Sequence, residues 1–131
     1  MDLNSAALMG GSTVLIVEDD PSLRLLCRVN LELEGLNVLE AETLAQAIAL
    51  VAGEPIDVVL LDLHVGEDLG LALLPYLRES RPDASVCLLS GTTENDPEQL
   101  PGVHAFIRKP FELEDLTGTV QRLLAREPAR P

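Results

Sequence analysis

Val58-Val59-Leu60-Leu61-Asp62 is the stretch on which the fold turns: four consecutive aliphatic side chains, then a carboxylate. A strand with one wet face alternates apolar and polar residues, so an unbroken apolar run ending on an acid reads as a strand covered on both faces. The pattern recurs along the chain. Residues 14–17 are followed by Glu18, Asp19 and Asp20, residues 86–89 by Ser90, and residues 105–107 by Arg108, Lys109 and Pro110. A fifth strand is expected at 38–40, with nothing comparable at its end.

Helical periodicity fills the gaps. Asp20 as N-cap and Pro21 at the first helical position open a helix expected to bury Leu23, Leu26 and Cys27 or Asn30. Thr43, with Gln46 three residues on, starts a second, with Leu44, Ala47, Ile48 and Val51 on one face. A third is expected over 69–79, where Pro75 kinks it or marks its true start. Leu113, Leu116, Val120 and Leu123 form the stripe of the last, with Gly118 a weak point inside it. Residues 1–11 and 126–131 read as tails around one domain spanning 12–125.

Strand and helix alternate five times, and parallel strands need right-handed crossovers, so the expected fold is α/β: a doubly wound, five-stranded parallel sheet. Ligands of such sheets sit at the carboxyl ends of the strands. On that rim Asp19, Asp20 and Asp62 would stand close together, and like charges so near call for a hard divalent cation held through oxygen, which suits Mg²⁺ and phosphoryl transfer. Asp62 can act as nucleophile, while Lys109 and Ser90 are suited to phosphoryl oxygens. Each of these residues has an ordinary structural reading taken singly: a helix cap, a turn serine, a strand exit. Their joint placement at the strand ends is what points to chemistry.

The bulk numbers agree. With 22 acidic against 9 basic residues the formal charge is −13, which speaks against nucleic acid or an anionic membrane as a direct partner. Cys27 and Cys87 lie far apart in no metal-like spacing, and Cys87 sits in an apolar run as a reduced core thiol. No basic leader or membrane-length apolar run is visible, so a cytoplasmic location is expected.

From about Thr13 to Ala125 the chain resembles a response-regulator receiver domain, the phosphoacceptor module of two-component signalling. The resemblance is carried by Val17-Glu18-Asp19-Asp20, Leu60-Leu61-Asp62-Leu63, Leu88-Leu89-Ser90-Gly91 and Phe106-Ile107-Arg108-Lys109-Pro110-Phe111. It implies a flavodoxin-like (βα)5 fold, and a phosphoryl group passed to Asp62 from a histidine kinase or histidine phosphotransfer protein. It implies Mg²⁺ held by Asp20 and Asp62 directly, by Asp19 largely through water, and by the backbone carbonyl of His64. It further implies Ser90 and Phe106 as the switch pair and a cis Lys109–Pro110 bond. Such a domain is not an enzyme in the ordinary sense.

There are departures from the family pattern. Gly66 stands where a proline is usual, although Gly70 keeps its place, and His64 puts a bulky side chain beside the acceptor. Between Ser90 and Lys109 the chain is several residues too short for a full helix. Asp96-Pro97-Glu98-Gln99 allows one turn before Pro101-Gly102 stops it, a shortened fourth helix like that of receivers attached to hybrid histidine kinases. The rival to a phosphoacceptor is a degenerate receiver acting as a binding module without phosphorylation. A haloacid-dehalogenase type would want an acid where His64 stands, and a nucleotide-binding flavodoxin-like protein would want a Gly-rich loop after the first strand. With no output domain after residue 125, the signal would leave through a partner or a parent protein.

Overall fold

The computed structural model describes residues 11–91 and 100–126. Its elements run β1 (Thr13–Val17), α1 (Pro21–Leu33), β2 (Asn37–Ala41), α2 (Leu44–Gly53) and β3 (Val58–Asp62). There follow the short pair β4 (His64–Val65) and β5 (Asp68–Leu69), a 3-10 turn (Gly70–Leu73), α3 (Leu74–Ser80), β6 (Ser85–Ser90), β7 (Ala105–Arg108) and α4 (Leu113–Ala125). The strands β2-β1-β3-β6-β7 make one five-stranded sheet in that order, every pair parallel. This is the doubly wound α/β sheet that the apolar runs imply. All five expected strands are present, each a residue or two longer than its apolar run.

Every residue of β1, β3 and β6 is buried, which explains their continuous hydrophobicity. Alternate side chains feed two aliphatic layers. Leu15, Val17, Val59, Leu61, Val86 and Leu88 meet α2 and α3 on one face, and Val14, Ile16, Leu60, Cys87 and Leu89 meet α1 and α4 on the other. Burial pushes the Cys87 thiol up to about 12 and the Cys27 thiol up to about 11, so both are inert core groups.

The caps form as their residues require. The Asp20 carboxylate accepts from the Ser22 and Leu23 amides, and Thr43 accepts from the Gln46 amide. Gln46 reaches back to the Glu42 amide, one residue before the cap itself.

Two expectations change. In α1 the inward face is Cys27 and Leu31, whereas Leu26 is 45% exposed and shares an outer apolar face with Leu25, Val29 and Leu33. Both faces of this helix are apolar, so periodicity alone could not say which one the sheet would take. In the third helix Pro75 marks the start: residues 70–73 turn as a 3-10 segment, and the α-helix begins at Leu74, where a proline in the first turn forfeits no hydrogen bond. The hairpin of β4 and β5 was not expected; Gly66 at φ 62° lets the chain reverse there. The single turn expected at Asp96–Gln99 lies outside the described residues. None of the described helices is long and apolar enough to cross a membrane.

Candidate functional site

The sheet order reverses beside β1, with β2 on one side and β3 on the other, and the carboxyl ends at such a reversal are where sheets of this kind bind ligands. The register pairs Val17 with Leu61, so one step further Glu18 stands level with Asp62. Glu18, Asp19 and Asp62 each bring a carboxylate oxygen within 4.8 Å of the others. Asp20 is not among them: its Oδ1 accepts from the Ser22 and Leu23 amides of α1, while its own amide donates to Glu18 Oε2 at 3.1 Å. The expected trio of Asp19, Asp20 and Asp62 is thus replaced by Glu18, Asp19 and Asp62. One signal in the sequence pointed this way, since Pro21 makes its predecessor a cap; the register that aligns residue 18 with residue 62 belongs to the folded sheet.

Lys109 completes the cluster from the end of β7. Its ammonium lies 2.7 Å from Glu18 Oε1 and 3.0 Å from Asp62 Oδ2. Burial alone would lower the Lys109 pKa, but the hydrogen bonds to Glu18 and Asp62 outweigh it and the net direction is upward. The Lys109–Pro110 bond is cis, as the resemblance implies. Glu18 is 1% exposed, and burial drives its pKa from 4.5 to about 7, aided by Asp62 and opposed by the Lys109 hydrogen bond. Asp19 moves the other way: the Gly66 amide, donating to Oδ2 at 3.0 Å, holds its carboxyl below the usual range.

Asp62 is 7% exposed, and its Oδ1 accepts from the His64 amide at 3.2 Å. The His64 side chain is exposed beside it. His104 takes no part; its Nδ1 accepts from the Val86 amide at the far end of the sheet. Gly70 is needed where it is, because a Cβ there would lie 2.0 Å from the Asp62 carbonyl oxygen. Ser90 is buried at the end of β6, and its carbonyl accepts from the Lys109 amide at 2.8 Å. Phe106 is half-buried against the α2–α3 layer, with the Arg108 guanidinium 5.9 Å from its ring centre.

Three carboxylate oxygens around one point, two on buried residues and one on an exposed residue, fit a hard cation that keeps some of its water. That donor set is all oxygen, with no thiolate or imidazole, which favours Mg²⁺ over zinc.

The family model of the response regulator receiver domain matches residues 14–121. The DNA-binding transcriptional regulator NtrC of Rhizobium meliloti is 29% identical over 94% of this chain and 26% of its own length. Sensor kinase CckA of Brucella abortus is 33% identical over 92% of this chain and 13% of its own length. The chain therefore spans a minor part of both relatives. Among solved structures, response regulator TrrA of Thermotoga maritima in complex with Mg²⁺-BeF is 26% identical with a TM-score of 0.77, covering 86% of this chain and 99% of that one.

Proposed function

The chain belongs to the response regulator receiver domains, and from that premise we propose that it is a working phosphoacceptor in which Asp62 takes a phosphoryl group from a histidine kinase or histidine phosphotransfer protein. The observation that carries this reading is the meeting of Asp62 with Lys109, Glu18 and Asp19 at one point. A carboxylate oxygen of Asp62 attacks phosphorus, the phosphorus–nitrogen bond of the donor phosphohistidine breaks, and the imidazole leaves with its electron pair. Glu18, Asp19 and Asp62 hold Mg²⁺, with the His64 backbone carbonyl as a further ligand. When bound, the ion offsets the negative charge shared by the acids and the incoming group. Lys109 and Ser90 hold the phosphoryl oxygens, and Phe106 reports the inward movement of Ser90. Asp20 keeps its place as the cap of α1. The module is a phosphoacceptor and not an ordinary enzyme, it works in the cytoplasm, and its signal passes to a partner or parent protein.

The test is labelling by acetyl phosphate with Mg²⁺, alongside Mg²⁺-dependent binding of beryllofluoride. The expected result is one acid-stable, base-labile phosphoryl group per chain, lost in Asp62→Asn. Absence of uptake would instead favour a degenerate receiver that works by binding alone, and equal labelling of Asp62→Asn would remove Asp62 as the acceptor.

A further inference from the structure

Arg24 lies in the first turns of α1, its amide bonded to the Asp20 carbonyl at 3.0 Å. Its side chain, only 15% exposed, turns back over the ends of β1 and β2. There the guanidinium makes two directed contacts. Nη1 donates to the Glu18 carbonyl at 2.8 Å, and Nε to Glu40 Oε1 at 3.0 Å. Glu40, near the end of β2, is also paired with Arg28, so the anchor for Arg24 is itself held from α1.

The carbonyl that Arg24 grips belongs to the peptide joining Glu18 to Asp19. Orienting that peptide plane sets ψ of Glu18 and φ of Asp19, and therefore the angle between their two side chains. One of those side chains reaches Lys109 and the other the Gly66 amide. On its other side Glu18 is held by its amide, which donates to the Ala41 carbonyl at 3.0 Å. Both backbone groups of Glu18 are thus fixed from β2 and α1 before any cation arrives. Acids this close would otherwise splay apart, and ordering them at the moment of binding would weaken affinity.

We propose that Arg24 is a positioning residue that, anchored by Glu40, pre-orients the Glu18–Asp19 pair for a divalent cation. The proposal rests on the reading of this rim as the Mg²⁺ site of a phosphoacceptor. It differs from a simple salt bridge between α1 and β2 in what it moves: the bridge would affect melting alone, while a positioning role affects metal affinity.

The experiment is a Mg²⁺ titration of the whole chain by amide chemical shifts at constant pH, without a phosphoryl donor. Arg24→Met keeps the aliphatic stem and loses both contacts; Mg²⁺ affinity should fall about tenfold, the scale of outer-shell partners of metal ligands. Arg24→Lys should recover part of this loss, since a compact ammonium cannot reproduce the two-pronged contact. Glu40→Gln should also weaken binding, and it gives the same reading should Arg24→Met fail to fold. Labelling of Asp62 at saturating Mg²⁺ should stay at the wild-type level in all three variants. Wild-type Mg²⁺ affinity in Arg24→Met, or in Glu40→Gln if the former does not fold, overturns the positioning role whatever the melting temperatures do. A wild-type chain that takes Mg²⁺ but never labels counts against the phosphoacceptor reading alone. One that takes no Mg²⁺ overturns both.

Discussion

Lys109 Nζ stands 2.7 Å from Glu18 Oε1, joining the end of the edge strand β7 to a carboxylate that is 1% exposed at the end of β1. A second contact, 3.0 Å to Asp62 Oδ2, makes this ammonium the shared counter-charge of two buried acids. Lys109→Met removes it. Labelling of Asp62 by acetyl phosphate at saturating Mg²⁺ should then slow by about 10²-fold, the scale of one lost charge-stabilising donor. Rapid-quench labelling of the two proteins decides it; a rate within twofold of wild type would exclude a role for Lys109 at the phosphoryl group.

Glu18 also sets a pH dependence. Its carboxyl is near 4.5 when unfolded and about 7 in the fold, chiefly through burial. Between those values the folded chain holds a proton that the unfolded chain has released. Stability without metal should therefore fall as pH rises across that window and level off above it, by on the order of 3 kcal/mol at most. Denaturant midpoints at pH 5 and pH 8 measure the slope, and Glu18→Gln should flatten it. Asp19, whose carboxyl is held low by the Gly66 amide, acts oppositely but in a more acidic range. Its stabilisation is present above its unfolded value of 3.8 and is lost as pH falls below that.

Asp19 and Asp20 are neighbours with separate duties. Asp20→Ala removes the acceptor for the Ser22 and Leu23 amides and should cost about 1 kcal/mol of stability with little change in Mg²⁺ affinity. Asp19→Asn should leave stability near wild type and weaken Mg²⁺ binding at least about tenfold. Calorimetric titration beside chemical denaturation separates the two, and the reverse pattern would return Asp20 to the metal set.

Two glycines should respond in opposite senses. Gly70→Ala pushes a methyl against the Asp62 carbonyl oxygen, 2.0 Å from the ideal Cβ position. The backbone at the acceptor has to shift, at a cost of about 1–3 kcal/mol, and Mg²⁺ affinity should drop with it. Gly118→Ala, inside α4 with nothing within 4 Å of the new Cβ, should stabilise by about 0.5–1 kcal/mol and leave Mg²⁺ binding alone. Urea unfolding curves of the two variants test both signs.

Much of this was legible beforehand because its causes are short-range. The apolar runs of β1, β3 and β6 mark strands buried on both faces, and Pro21 after Asp20 marks a helix start. Less legible was α1, where Leu25, Leu26, Val29 and Leu33 match the true inner face in hydrophobicity, so local pattern could not choose between the two. Nor did any turn signal beyond Gly66 announce the hairpin of residues 64–69.

The site divides along the same line. That acids, a serine and a lysine end successive strands is a property of the sequence by itself, since a parallel α/β chain brings its strand ends to one rim. Which acids meet was decided by the tertiary structure. Glu18 enters the cluster because register sets it level with Asp62, 44 residues on by number, and because Lys109 arrives 91 residues away to hold it. Asp20 stays outside it for a local reason already visible in Pro21, since its Oδ1 takes two amides of its own helix. A carboxylate takes the donors its surroundings offer: those of Asp20 lie within its own helix, whereas those of Glu18 exist only once the sheet has closed.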